Sequence, residues 1–190
     1  MARSRLTPQR ESELYQAVID LLGEVGYEGL TMDAIAARSH SSKATLYRQW
    51  GSKPELVAQS LRHHEPVRIA EIDTGTLRGD FHEMVARTDD CRMEKDSAMM
   101  RGLAHAISDN PELLQALREL LIEPEVTGLG QVLRRAVERG EVAADNPALD
   151  LVPHMMIGAV VARPLIEDRP VDQAYLMTYV DAVVLPALGV

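Results

Sequence analysis

Three hydroxyl side chains, Thr31, Ser42 and Ser52, each stand immediately ahead of a short segment with helical apolar spacing. A Ser or Thr in that place accepts a hydrogen bond from a first-turn backbone N–H and starts a helix. Three starts so close together leave room only for short helices joined by tight turns. Thr31 precedes Met32, Ile35 and Ala36, and Ser42 opens a segment that runs to about Gln49 before Gly51 breaks it. Ser52-Lys53-Pro54-Glu55 is a capping box leading into Leu56, Val57 and Leu61. Ser39-His40-Ser41 is too polar to continue the apolar face and reads as a turn. Upstream, Thr7-Pro8 is a cap followed by proline at the first helical position. Leu14, Val18, Leu21, Leu22 and Val25 then share one helical face, and Gly26 is the expected stop.

The rest of the chain repeats this grammar. Leu77, Phe81, Met84, Val85 and Thr88 keep helical spacing, and a further helix is expected over residues 97–107. Asp109-Asn110-Pro111 and Asp145-Asn146-Pro147 both place a capping Asn before a first-turn proline. Pro124 should break or kink the segment between them, Arg139-Gly140 should end it, and two last helices are expected over about 147–166 and 171–187. No alternating strand and no hairpin turn stands out. Aromatic residues are only 4% of the chain, so Ala, Leu, Val and Met carry the apolar load and favour helices. The expected fold class is all-α.

Charge divides the chain. Residues 1–64 hold eight Lys/Arg and seven Asp/Glu, whereas residues 65–190 hold twelve and twenty-two. Pro66 and Asp73-Thr74-Gly75-Thr76 mark the change of region. The first region can approach a polyanion and the second cannot. Within the first, no acid falls in the 21 residues between Asp33 and Glu55, which contain Arg38, Lys43, Arg48 and Lys53 with Tyr47 and Trp50. The single cysteine, Cys91, excludes an internal disulfide and fits a reducing cytoplasm. No 18-residue apolar run and no signal peptide is read, so no membrane is expected.

Two short helices joined by a three-residue turn, the second of them cationic, form the pattern of a helix-turn-helix. At about 100° per residue, Leu46 and Trp50 share the side that packs inward, with Trp50 read as core rather than as a DNA contact. Ala44, Thr45, Arg48 and Gln49 lie opposite. Lys43 occupies the first turn, the end that meets base edges in a major groove. Thr45 and Gln49 can address bases, Lys43 a guanine or a phosphate, and the Tyr47 hydroxyl a phosphate. Lys53 opens the next helix, where charge and dipole can act on one phosphate. Arg3, Arg5 and Arg10 are expected in a basic arm. A carboxylate on this surface would repel the DNA backbone, which accounts for the acid-free run.

The segment TMDAIAARSHSSKATLYRQWGSKPELV resembles the DNA-binding signature of the TetR family of bacterial transcriptional regulators, over roughly residues 7–60. Thr31, Ile35-Ala36, Ser42-Lys43, Thr45-Leu46-Tyr47, the aromatic Trp50 and Ser52-Lys53 with Leu56 carry the likeness. Beyond it, helix content and the ERGE turn at 138–141 agree. The turn departs from the family's Ala-Gly-Val, with Ser39-His40-Ser41 in its place, and Ala44 and Trp50 replace Gly and Phe. The resemblance implies that Thr31, Ser42, Tyr47 and Lys53 hold phosphates while Lys43, Ala44, Thr45 and Gln49 face bases, with Arg48 on the same surface.

It also implies an N-terminal three-helix DNA-binding domain over 1–52 and a C-terminal ligand-binding and dimerisation domain over 53–190, linked by a helix of about 53–65. Such a protein acts as a homodimer on a palindromic operator in double-stranded DNA. It is commonly a repressor released by a small-molecule effector. Pocket candidates are Phe81, Met84, Met99, Leu103, His154 and Met155, with core filler as the alternative for the methionines. Dimer candidates are Met156, Ala159, Val160, Leu176, Tyr179 and Val183, with an intramolecular core as the alternative. His63-His64 point about 100° apart and make a poor metal pair, and Gly128-Leu129-Gly130 lacks a third glycine. No cofactor, metal site or catalytic constellation is expected. A ligand-independent architectural DNA-binding protein, or an enzyme or interaction module on a helical scaffold, are the competing functions.

Overall fold

The computed structural model describes residues 7–64, 69–88, 103 and 106–190. Every regular element among them is helical. They form two compact units, residues 7–64 with 103 and 106–123, and residues 69–88 with 124–190. These units do not part at the 52/53 boundary expected from the sequence. The helix after Ser52 buries Leu56, Val57, Ala58 and Leu61 in the same core as the helices before it.

The first unit contains α1 (Pro8–Gly29), α2 (Met32–Arg38), α3 (Lys43–Trp50), α4 (Lys53–His64) and α6 (Pro111–Leu117). Its core joins Leu14, Val18, Leu21 and Leu22 of α1 to Ile35, Leu46, Trp50, Leu56, Leu113 and Leu117. Burying each such side chain contributes roughly 1.5–3 kcal/mol. The expected caps form: the Thr7, Thr31 and Ser42 hydroxyls accept from the N–H groups of Arg10, Ala34 and Thr45. Gly26 departs from the helix at φ +69°, as its lack of a Cβ allows. Past it, Tyr27 takes the core place at that end, so Val25, expected inside, is 51% exposed.

The second unit contains α5 (Leu77–Ala86), α7 (Glu123–Glu138), α8 (Val152–Glu167), α9 (Gln173–Tyr179) and α10 (Leu185–Leu188). Leu77, Phe81, Val132, Val152, Val180, Val184 and Leu185 are fully buried in its core. The ERGE turn has a structural task. Arg139 reaches the buried carboxylate of Asp80, which also accepts from the Thr74 N–H and hydroxyl. Glu141 accepts from the first N–H of α5, that of Leu77, at 2.6 Å.

Two expectations about helix ends are corrected. Asn110 caps α6 through the Leu113 N–H, but Asn146 does not cap a long helix. Its side chain accepts from the Ala148 N–H in a local turn, and α8 starts only at Val152 after a 3-10 turn over Leu149–Leu151. Pro124 does not break the chain's helical path. A π-turn over Arg118–Ile122 precedes it, with the Glu123 N–H bonding back to Arg118. Pro186 follows a second π-turn, Val180–Val184, at the same offset. Proline lacks an N–H and its ring crowds the carbonyl four residues back. The wider turn just ahead relieves both faults in the same way each time.

Candidate nucleic-acid interface

The geometry of α3 follows from its two buried side chains. Leu46 is 0% and Trp50 3% exposed, and with them anchored the rest of the helix faces outward. Lys43, Ala44, Tyr47 and Arg48 are exposed, with Thr45 and Gln49 half-buried beside them. Tyr47 is 46% exposed, a large aromatic surface left in water on an otherwise well-packed unit.

A polar node fixes the far end of the helix. The Trp50 indole N–H donates to the Tyr15 hydroxyl at 3.1 Å inside the core. That hydroxyl donates to Glu11 at 3.0 Å and lies 3.4 Å from the Gln59 amide oxygen. One oxygen thus ties α1, α3 and α4 together. Burial pushes the Tyr15 phenol up from 10.0 to about 12, because a phenolate there would lose its solvation. Buried Tyr27 is likewise pushed up to about 12.

The turn before α3 accepts its unusual residues. His40 adopts φ +50°, the left-handed conformation that glycine takes without strain. Around it the Ser41 N–H reaches the Ala36 carbonyl at 2.9 Å and the Ser39 hydroxyl donates to Ile35 at 2.7 Å. Arg10, expected in a basic arm, lies in α1 instead. Its guanidinium donates to the Ser39 carbonyl at 3.0 Å and so braces this turn.

Three of the four cations in the acid-free run already have partners. Arg38 forms a two-pronged pair with Glu24 at 2.8 and 3.0 Å, which holds the Glu24 carboxyl below its usual range. Lys43 donates to Asp33 at 2.8 Å, and that hydrogen bond pushes its ammonium pKa up. Lys53, expected on a phosphate, folds back onto the carbonyls of Tyr27 and Leu30 at 3.0 and 3.1 Å. It sits 4.0 Å above the Tyr27 ring. Burial pushes the Lys53 ammonium pKa down. Its position closes the end of α1, where helix carbonyls lack intrahelical partners. Arg48 has no such partner among the described residues. Thr31 and Ser42 remain exposed at their helix starts while acting as caps.

The pocket candidates fall in two cores. Phe81 and Met84 fill the core of the second unit, with Met155 packed at its margin, whereas Leu103 belongs to the core of the first. His154 is exposed, and Met99 lies outside the described residues. Of the dimer candidates, Ala159 and Leu176 are buried in the second unit's own core. Met156, Val160 and Tyr179 are half-buried and Val183 is 40% exposed. The open apolar face of α8 is a different one: Ile157, Gly158, Val161 and Leu165, with Val161 53% and Leu165 75% exposed. Residues 149–167 are in fact long and apolar enough to cross a membrane, which amends the expectation of no such run. Yet Arg163 within them is largely buried and held by Asp172 at 3.1 Å, over the Tyr175 ring.

A capped, core-anchored short helix that presents Lys43, Ala44, Tyr47 and Arg48 after a tight turn has the form of the second helix of a helix-turn-helix. Comparison with known proteins agrees. Residues 14–59 match the family model for bacterial regulatory proteins of the tetR family, and residues 71–183 match the tetracyclin repressor-like C-terminal domain. The chain belongs to the TetR family of transcriptional regulators. It is 34% identical over 187 residues to an uncharacterized HTH-type transcriptional regulator of Mycobacterium tuberculosis, covering 94% of this chain and 88% of that one. It is 30% identical to the DNA-binding transcriptional repressor TetR of Mycobacteroides abscessus, covering 93% and 92%. Among solved structures, the TetR family transcription regulator SCO0332 superposes with a TM-score of 0.73 at 29% identity, covering 94% and 98%.

Proposed function

We propose that the protein is a homodimeric repressor that binds a palindromic operator through α3 and releases it when a small-molecule effector binds the C-terminal region. The observation that carries this reading is the outward face of α3. Lys43, Ala44, Thr45 and Gln49 meet base edges, and Tyr47, Arg48, Thr31 and Ser42 meet the backbone. Lys53 orders the end of α1 and adds its remaining N–H to a phosphate. In functional terms residues 1–52 are the DNA-reading part and residues 53–190 the regulatory part. A relative named as a repressor supports repression as the outcome, and the cytoplasm as the place of action.

The open face of α8 supports the dimer. Ile157, Val161 and Leu165 are apolar and in water, and Gly158 beside them lets a second helix approach closely. Helix α9 and the π-turn that follows it add exposed Ala174, Thr178, Ala182 and Val183. A symmetric dimer requires half-sites spaced by about one helical turn, ~34 Å, or a multiple. An effector acts here only if it binds the DNA-incompetent state better than the competent one.

The test is a gel shift on the duplex upstream of the chain's own coding sequence, over rising salt and with a metabolite panel. The proposal expects a discrete complex that Lys43→Ala with Tyr47→Phe abolishes and that at least one metabolite releases. A complex untouched by both substitutions removes α3 as the reading helix. A complex that no metabolite releases favours a ligand-independent DNA-binding protein.

A further inference from the structure

The run that lacks acids in sequence does not lack one in space. Asp33, which bounds it, lies on the first turn of α2, and its carboxylate takes the Lys43 ammonium at 2.8 Å. Both ends are held by caps, α2 through Thr31 and α3 through the Ser42 hydroxyl at 3.1 Å from the Thr45 nitrogen. The two side chains are 73% and 48% exposed, so the pair stands in water, where a phosphate or a base can compete for the lysine. A carboxylate beside a DNA-facing lysine costs affinity for any polyanion, since it offsets one of the charges that release counterions. Its presence therefore needs a different benefit.

We propose that Asp33 is a specificity-determining residue. It holds Lys43 along the first turn of α3, available to the paired acceptors of a base edge, and keeps it from closing on phosphates of unrelated DNA. A guanine offers N7 and O6 together in the major groove, and an ammonium can address them while still paired with Asp33. A phosphate in random DNA must win the lysine from Asp33 and tolerate the carboxylate nearby. Asp33 thus lowers non-specific binding more than specific binding. The inference rests on the reading of α3 as the DNA-reading helix.

The test is a four-protein cycle on the full chain: wild type, Asp33→Asn, Lys43→Ala and the double variant. Each is titrated by fluorescence anisotropy on the duplex selected by the wild type and on a scrambled duplex of equal length, across a salt series. Asp33→Asn should raise affinity for the scrambled duplex by roughly two- to fivefold, the range an exposed pair commands. It should leave the selected duplex nearly unchanged, so the specificity ratio falls by that factor. The salt slope on scrambled DNA should steepen by about 0.9, one added phosphate contact. With Lys43→Ala in place, Asp33→Asn should no longer change the ratio.

Equal gains on both duplexes that persist without Lys43 would overturn the proposal, leaving Asp33 as a simple repulsive charge. No change on either duplex would overturn it as well. If Lys43→Ala leaves selected binding intact, or the wild type selects no duplex, the reading of α3 fails together with the inference. Unchanged thermal unfolding of each variant, expected at exposed positions, ties these outcomes to DNA binding.

Discussion

Helices α3 and α8 expose opposite kinds of surface. Each buries two anchors, Leu46 and Trp50 in one, Val152 and Ala159 in the other. Beyond its anchors α3 offers water a lysine, an arginine and a phenol, whereas α8 offers Ile157, Val161, Leu165 and Ile166. Exposed charge on a rigid helix suits a hydrated polyanion, because contacts form without stripping apolar surface from a core. Exposed apolar stripes are unfavourable in water until another apolar surface covers them. On the proposed function, the contrast suits the first unit to DNA and the second to another copy of the chain.

The largest effect is expected from removing what holds α3 in place. Trp50→Ala should cost about 3–5 kcal/mol by opening the first core, read by urea unfolding under circular dichroism. DNA binding should go with it. On the other side, Val161→Glu places a charge on the open face of α8. It should weaken self-association by roughly 2–4 kcal/mol, turning a dimer into a monomer in sedimentation velocity without unfolding the protomer. A dimer that survives this change removes α8 as the interface.

Smaller effects sharpen the picture of the first unit. Tyr15→Phe leaves the Trp50 N–H buried without an acceptor and should cost about 1–3 kcal/mol, measurable as a lower unfolding midpoint. Burial of two tyrosines gives the first unit a pH signature. Tyr15 and Tyr27 have folded pKa values of about 12, above the ordinary 10.0. Raised values favour the neutral form, so this stability is complete below pH 10 and is lost as pH rises toward 12. Phenolate absorbance followed alongside unfolding should show both tyrosines ionising with the loss of structure, and early ionisation in the folded protein would refute their burial. The smallest expected effect is at Arg48. Arg48→Ala should weaken binding severalfold on all duplexes and reduce the salt slope by about 0.9.

Local grammar made much of this legible in the sequence. Thr7, Thr31, Ser42 and Asn110 act as read because a cap depends on its own next three residues. Leu46 and Trp50 were placed by helical period alone. Asn146 failed the same reading because its amide also donates to the Ala187 carbonyl, a partner 41 positions away. The ion pairs were invisible for a similar reason. Lys43 meets Asp33 and Arg38 meets Glu24 only once the turn and α1 are in place, and Lys53 finds carbonyls exposed by the break at Gly26. Phe81 and Leu103 look alike as apolar pocket candidates, yet the chain sends them to separate cores. On α8, period identified an amphipathic helix but not which face the protomer keeps for itself.

Whether the exposed face of α3 reads duplex DNA is decided by selection from a random duplex pool. The full chain is compared with Ala44→Glu, which adds one carboxylate at an exposed first-turn position without touching the core. The wild type should enrich inverted-repeat sites, and the Ala44→Glu protein, equally folded, should enrich none. Enrichment of the same sites by both proteins, or by neither, would contradict the assignment.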